Sequence, residues 1–188
     1  MKLGGITMIY IFMADGFEET EAIAPIDMLR RAGADLVTVG IKNDSVKSSH
    51  GVLMLCDMTE QQVELDERLE MIILPGGMPG TLNLEANPIV QAAIDYCVEH
   101  EIPIGAICAA PSILGKKGLL NGKEAICFPG FEKFLTGAKL SDKKVVTDGI
   151  FTTAAGAGAA IDFGLELVRV LKGENESASI RAAIQCAK

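Results

Sequence analysis

Residues 104–112 read IGAICAAPS, an apolar run that leads directly into a cysteine and then into small residues that can open a helix. A strand that bends sharply into a helix, with a nucleophile at the bend, is a nucleophile elbow, and its crowded backbone needs small neighbours. The pattern predicts that the thiol of Cys108 lies above the edge of a sheet. A helix N-terminus beside the sulfur would lower the thiol pKa. The alternative is an inert core cysteine, because free cysteine is among the most buried residue types.

Outward from this stretch, short apolar runs alternate with longer amphipathic segments. Hydrophobic periodicity and turn residues predict strands at 6–13, 35–41, 51–56, 71–74, 102–107, 124–127, 144–147 and 150–153, and the short segment 51–56 suits a hairpin with its flanks. They predict helices at 20–32, 88–100, 109–115, 158–171 and 176–184, with Asn87 as the N-cap of the second. Apolar strands that do not alternate need cover on both faces. The sequence therefore predicts one domain over 1–188, a doubly wound α/β sandwich with a mainly parallel sheet.

Ligand sites in such sheets lie beyond the carboxyl ends of the strands, and Gly76 and Gly77 follow the predicted strand 71–74. Two glycines there leave backbone N–H groups free to point at an anion, as an oxyanion site requires. An ordinary tight turn would use the same residues. A nucleophile on a neighbouring strand favours the functional interpretation.

An acidic stretch, residues 15–21 (DGFEETE), follows the first predicted strand. Carboxylates in a first helical turn complement the helix dipole, so Glu18, Glu19 and Glu21 could all be surface capping residues. The alternative is that one of them, Glu21 before the others, turns inward towards the thiol. A carboxyl group beside a thiolate would have a raised pKa and could shuttle a proton. The spacing alone does not choose among the three.

Composition excludes several classes of protein. The 188 residues are 49% hydrophobic and 22% charged, which suits a buried core and not a disordered chain. The formal net charge of −8 repels nucleic acid and anionic lipid, and the basic residues form only isolated pairs. We therefore expect no nucleic-acid or membrane partner.

Five cysteines without CxxC spacing, and only two histidines, make a zinc site or a secreted disulfide framework improbable. The apolar stretch 3–14 is too short to span a bilayer. Residues 156–158 (GAG) lack the third glycine of a dinucleotide fingerprint and are interpreted as a close-packed turn. These observations predict a cytoplasmic protein without a metal or cofactor.

The motifs together resemble the DJ-one/ThiJ/PfpI superfamily, a flavodoxin-like group related to class I glutamine amidotransferases. The stretches that carry the resemblance are 15–21 (DGFEETE), 74–77 (LPGG), 106–111 (AICAAP), 127–132 (CFPGFE) and 160–163 (AIDF). Ala109 stands where the protease-like branch has histidine, which favours the DJ-one branch. The family's Ser-Arg-Gly-Pro-Gly stretch is AAGAG here, residues 154–158, a departure that bears on the dimer contact or the pocket rim.

The resemblance implies roles for individual residues. Cys108 would be the reactive cysteine and Glu21 its protonated partner, with oxyanion N–H groups at the positions of Gly76, Gly77 and Ala109. Phe128 would occupy the pocket position where human-type members carry histidine. Cys56 would lie near a homodimer contact.

The activity implied is cofactor-free glyoxalase-type or deglycase-type chemistry on small reactive carbonyls such as methylglyoxal. The alternative is a sensor of oxidants, or a stress chaperone, without significant turnover.

Overall fold

The structure, a computed structural model, describes residues 7–186. Its strands are β1 (Met8–Met13), β2 (Leu36–Gly40), β3 (Ser45–Lys47), β4 (Leu53–Leu55), β5 (Met58–Thr59), β6 (Leu69–Leu74), β7 (Ile104–Ile107), β8 (Glu124–Ala125), β9 (Lys139–Leu140), β10 (Val145–Asp148) and β11 (Phe151–Ala154). Its α-helices are α1 (Glu19–Arg31), α2 (Gly80–Ala86), α3 (Pro88–Glu99), α4 (Pro111–Lys116), α5 (Ala160–Lys172) and α6 (Glu174–Ala183). Ile6, which was included in the first predicted strand, lies outside the described residues.

The central sheet has seven strands in the order β10-β11-β7-β6-β1-β2-β5. Neighbouring strands are parallel, except that β10 and β11 pair antiparallel. Along the chain, the inner strands β2-β1-β6-β7-β11 follow the order 2-1-3-4-5 of flavodoxin-like sheets. The predicted fold class, a mainly parallel doubly wound sheet, is confirmed. The order of connection reverses between β1 and β6, and this switch point is where ligands bind in such sheets.

Two hydrophobic cores explain why the strands are apolar on both faces. In β1, Tyr10 and Phe12 pack into one core and Ile9 and Ile11 into the other, since successive side chains point to opposite faces. Buried residues of α2, α3 and α4 complete the first core. Buried residues of α1, α5 and α6 complete the second. The result is the predicted three-layer sandwich.

Helix α1 packs closely on α5, and this contact positions the first turn of α1. A Cβ atom on Gly164 of α5 would lie 2.8 Å from Met28 Cγ and 3.0 Å from Pro25 Cα. Only a glycine lets the two helices approach so closely.

At 13 residues each, α1 and α5 are also short for a bilayer, and no helix within residues 7–186 combines the length and apolar character needed to cross one.

Two predicted strands lie outside the central sheet. The segment predicted at 51–56 forms β4, which pairs with β3 as an antiparallel hairpin. The segment predicted at 124–127 forms the two-residue strand β8, which pairs only with β9. The hairpin matches the arrangement that 51–56 suited in the sequence, whereas the apolar residues of 124–127 indicate a strand without indicating which sheet it joins.

The β3–β4 hairpin is bonded to the loop that leads into α1. Lys47 N donates to Asp15 Oδ1 at 2.8 Å, and Gly16 N donates to Lys47 O at 2.8 Å. Ser49 N, just beyond β3, donates to Phe17 O at 2.7 Å. The hairpin and the start of α1 are therefore fixed relative to each other.

Candidate active site at the switch point

Cys108 lies at the sharp turn that follows β7. Its backbone is left-handed, with a φ of +64°, a conformation that costs a non-glycine residue about 1–2 kcal/mol. The turn is held from both sides, because Cys108 N donates to Ala154 O at 2.9 Å and Phe128 N donates to Cys108 O at 2.8 Å. The next residue, Ala109, is buried. The strand, the sharp turn and the small neighbour match the elbow that the sequence predicted.

Of the three glutamates that spacing left open, Glu21 turns inward. It is 1% exposed, and its Oε2 accepts a hydrogen bond from Gly76 N at 3.0 Å. Glu18 instead caps α1, accepting from Glu21 N at 2.8 Å, and Glu19 pairs with His50 at 3.1 Å. The Glu21 carboxyl also makes hydrogen bonds with the Cys108 thiol and with the backbone N–H of Ala157. The structure therefore brings Glu21 and Cys108 into direct contact.

A signal in the sequence narrows the three glutamates to Glu19 and Glu21. The buried face of α1 includes Pro25 and Met28, which lie four and seven residues after Glu21. Residues at those spacings share one face of a helix, so Glu21 is in phase with the core stripe. Glu18 precedes the helix, and Glu19, which is in phase with buried Ala22 and Ile26, is only half-buried and pairs with His50.

Burial raises the pKa of Glu21 from its ordinary value of 4.5 to about 7. The nearby charge of Glu18 acts in the same direction, whereas hydrogen bonds from Cys108, Gly76 and Ala157 oppose it. The carboxyl is thus balanced between its two protonation states near neutral pH. A group in that condition can both accept and return a proton.

The thiol pKa differs from the sequence-based expectation. Burial, with the charge of Glu21 next in importance, raises the pKa of Cys108 to about 12. The expected lowering came from a helix dipole, but α4 has only six residues and begins at Pro111. Backbone N–H groups of Gly77 and Ala109 do stabilise the thiolate, though less strongly. Because the charge of Glu21 disappears when that carboxyl is protonated, the two groups titrate as a pair that shares one proton.

Gly76 and Gly77 let the β6 turn approach the other two loops. A Cβ atom on Gly76 would lie 2.5 Å from Glu21 Oε2 and 2.6 Å from Cys108 Cβ. Gly77 has a φ of +91°, and a Cβ there would lie 2.5 Å from Gly16 O. Gly76 N–H is already bonded to Glu21, while the N–H of Gly77 points to the sulfur. The N–H group of Gly76 therefore binds the Glu21 carboxyl, and the N–H group of Gly77 binds the Cys108 sulfur.

The loops after β1, β6 and β7 converge at the switch point, which is also where comparison with known proteins is informative. Residues 7–170 match the DJ-1/PfpI family. The chain belongs to the DJ-1/PfpI family. This is the superfamily that the sequence motifs resemble.

Relatives place the chain with the DJ-1 branch of the family. It is 34% identical over 176 residues to protein DJ-1 homolog B of Arabidopsis thaliana, covering 92% of this chain but only 40% of that protein. It is 30% identical over 173 residues to glutathione-independent glyoxalase DJR-1.2 of Caenorhabditis elegans, covering 91% of each. The solved structure of oxidized Toxoplasma gondii DJ-1 has a TM-score of 0.91 at 30% identity, covering 97% of this chain and 100% of that one.

In this DJ-1/PfpI protein, Phe128 stands at the rim of the site. Phe128 is 48% exposed, and its backbone N–H donates a hydrogen bond to the carbonyl oxygen of Cys108. It lines a cavity of about 400 Å³ together with residues 155–159, four of which belong to the stretch 154–158 that departs from the family pattern. The backbone N–H of Ala157 in that stretch also donates to Glu21, a contact that the interpretation of 156–158 as a packed turn does not predict.

Neither histidine of the chain contacts the thiol in the described structure. His50 pairs with Glu19, and His100 lies against Tyr96, with ring centroids 4.0 Å apart. Glu18, Glu19 and His50 do converge, with ligand atoms within 4.8 Å of one another, which is close enough to share a cation. Their capping and ion-pair contacts already account for that arrangement. Cys56, Cys97 and Cys127 are buried, and burial raises the pKa of each thiol.

Proposed function

We propose that this DJ-1/PfpI protein converts small α-oxoaldehydes such as methylglyoxal into α-hydroxyacids, without a cofactor. The observation that carries the proposal is the contact between Cys108 and the buried carboxyl of Glu21, whose pKa is raised to about 7. A nucleophile that touches a group able to give and take protons at neutral pH is what such an isomerisation needs. The name of the Caenorhabditis elegans relative, a glutathione-independent glyoxalase, also supports it.

In the first step, the sulfur of Cys108 adds to the aldehyde carbon. Ionised Glu21 takes the thiol proton as the S–C bond forms, so the raised thiol pKa is overcome at the moment of attack. The N–H groups of Gly77 and Ala109 would stabilise the negative charge on the aldehyde oxygen. Return of the proton from Glu21 to that oxygen gives a neutral hemithioacetal.

In the second step, Glu21 removes the proton from C1 and returns it to C2 through an enediol. C1 is oxidised to a thioester and C2 is reduced to an alcohol, so the electrons balance within the substrate. Water then releases the hydroxyacid and restores the thiol. Because Phe128 has no titratable group, Glu21 must serve as both acid and base. The same attack could act on early carbonyl adducts of thiols and amines, as a deglycase does.

The test is methylglyoxal turnover by Cys108→Ala and Glu21→Gln. We expect each variant to lose at least about 100-fold in kcat/KM, because one removes the nucleophile and the other removes the base. Cys186→Ala is the matched control, since Cys186 is also partly exposed but follows α6. Full turnover by Cys108→Ala would refute the proposal.

A second candidate function is oxidant sensing at the same sulfur. The donors around Cys108, namely the N–H groups of Gly77 and Ala109 and a protonated Glu21, could hold the oxygens of a sulfinate. Each peroxide molecule would transfer one oxygen to the sulfur and leave as water. Protonation of Glu21 removes one cause of the raised thiol pKa, and the same N–H groups stabilise the thiolate. We therefore expect mild peroxide to add one and then two oxygens at Cys108 before Cys186, as measured by intact mass and peptide mapping. Equal oxidation of both cysteines would contradict this candidate and remove support for a stress chaperone controlled by Cys108.

We also infer that the protein forms a homodimer through an apolar groove of about 630 Å³ beside α1. Ile23 of α1, Val52 of the β3–β4 hairpin and Ile161 of α5 line it, and each is 45% exposed or more. Leu53 and Leu55 continue the apolar surface along the hairpin, at 70% and 73% exposed. Exposed apolar patches of this kind mark interaction surfaces. Cys56, buried directly after Leu55, would lie next to this contact, as the family resemblance implied.

We place the protein in the cytoplasm. All five cysteines are free thiols, which suits a reducing compartment. Cell fractionation tests this placement, and recovery of the protein in an oxidising compartment would refute it.

A further inference from the structure

The cavity beside Phe128 has one charged residue in its wall. It is lined by Phe128, Pro129, Lys144 and the small residues 155–159, and has a volume of about 400 Å³. Of these lining residues, all of which lie in the described part of the chain, only Lys144 carries a charge. The rest of the wall is apolar side chain and backbone, so Lys144 is the one charged group in the wall that a ligand there would meet.

The cavity adjoins the Cys108–Glu21 pair. A Cβ on Gly156 would lie 3.3 Å from the Phe128 ring and 3.8 Å from Glu21 Oε1, so this residue lies between the cavity and the carboxyl. Lys144 O accepts from Ala155 N at 3.0 Å, which holds Lys144 beside the strand end that bonds Cys108. Since Cys108 and Lys144 lie on opposite sides of β11, their backbones are about 10 Å apart.

The charge of Lys144 is also not neutralised nearby. Among residues 7–186 the structure shows no carboxylate paired with it, whereas its neighbour Lys143 lies 3.5 Å from Glu124. The protein as a whole carries a net charge of −8, which repels anions from most of its surface. The unpaired cation in the wall of this cavity is therefore a local exception to the negative charge of the protein.

We propose that Lys144 binds an anionic group of the substrate, so that the preferred substrates are small aldehydes or α-oxoaldehydes that carry a carboxylate or a phosphate. The proposal rests on the proposed function and names its substrate class. Lys144 would hold the anion in the cavity while the carbonyl reaches Cys108. A flexible ammonium group that acts as a point charge suits either kind of anion.

Two alkylating reagents that differ in charge test this without turnover. Iodoacetate and iodoacetamide both alkylate a thiol with loss of iodide, but only iodoacetate is an anion. We expect Lys144→Met to slow alkylation of Cys108 by iodoacetate about 3- to 10-fold, as a charge removed from the path of an anion would, and to change the iodoacetamide rate less than about 2-fold. Peptide mapping measures both rates, and added salt should reduce the difference. Lys144→Arg should keep the iodoacetate rate.

Lys143→Met is the matched control, because it removes the same charge one residue away, outside the cavity lining. An equal fall in the iodoacetate rate for both variants, or none for Lys144→Met, would overturn the proposal. So would an equal fall in the iodoacetamide and iodoacetate rates for Lys144→Met, since the effect would then not depend on the charge of the reagent. Methylglyoxal turnover separates failure of the proposed function from failure of the anion site. If the protein does not turn over methylglyoxal but iodoacetate still reacts in a Lys144-dependent way, the proposed function is refuted and the anion site is not.

Discussion

Glu21 illustrates how a single buried residue can favour chemistry at the expense of stability. Its carboxyl is placed by the α1 core stripe and bonded by Gly76, yet burial raises its pKa to about 7. An unfolded chain would ionise the same group near 4.5. As the pH rises between these values the unfolded state loses its proton first, so ionisation increasingly favours unfolding.

We therefore expect Glu21→Gln to stabilise the fold, by little at pH 4.5 and by up to about 3 kcal/mol above pH 7, the free energy that corresponds to the pKa change. Denaturant unfolding at pH 4.5, 6, 7 and 8 measures the difference. Glu67→Gln, at an exposed position, should give no such trend. A constant difference between Glu21→Gln and the parent protein across this range would contradict the raised pKa.

Gly76→Ala tests the close approach of three loops. The added methyl group would lie 2.5 Å from Glu21 Oε2, 2.6 Å from Cys108 Cβ and 2.9 Å from Ile107 O, and backbone holds each of these groups in place. We expect a loss of about 3 kcal/mol in unfolding free energy, as for other overpacked sites, together with loss of activity. Gly158→Ala, where a Cβ would meet nothing within 4 Å, should change stability by less than about 0.5 kcal/mol. Similar stability for both variants would show that the loops are less tightly packed.

Among the helices, α3 begins at the N-cap residue that the local sequence predicts. Asn87 Oδ1 accepts from Ile89 N at 2.9 Å and from Val90 N at 3.1 Å, which confirms the predicted N-cap. We expect Asn87→Ala to cost about 1 kcal/mol in thermal or denaturant unfolding, with Asn87→Ser recovering part of it. Because Asn87 also bonds Glu60 at 2.9 Å, Glu60→Gln serves as the control for that second contact. Unchanged stability in Asn87→Ala would exclude a role for the cap.

Elements with strong periodicity were predictable, and those that depend on distant partners were not. Helices α1, α3 and α5 and the inner strands follow the predicted segments closely. Helix α2 was missed because its start, Gly80, lies in a proline- and glycine-rich stretch that is typical of a loop. The two-residue strand β5 exists only because it pairs with β2. Pairing of that kind is a tertiary property.

The same division applies to the site. The elbow at Cys108 and the glycine turn at Gly76 were visible locally, because both depend on backbone crowding. The direction of the Cys108 pKa shift is not predictable from the local sequence, since it depends on burial and on a carboxyl 87 positions away in the chain. The contact from Ala157 and the position of Lys144 likewise come from strands that meet only in the sheet.

For the whole molecule, association through the α1 groove should be measurable. We expect the protein to sediment at about twice 19.9 kDa, and Val52→Asp with Ile161→Asp to sediment as a single chain, because buried carboxylates oppose association. Leu140→Asp is the control, since Leu140 is also exposed but lies on β9, outside the groove. A parent protein that sediments as a single chain at micromolar concentration would rule out the dimer.

The bonds from Lys47 and Ser49 to the loop before α1 give that dimer a further consequence. The hairpin that would rest against a second copy is fastened to the backbone from which Glu21 projects. Association would then restrict the motion of the Glu21 side chain. Specific activity would therefore rise with protein concentration until all of the protein is dimeric. On dilution, the specific activity would fall before any folded protein is lost.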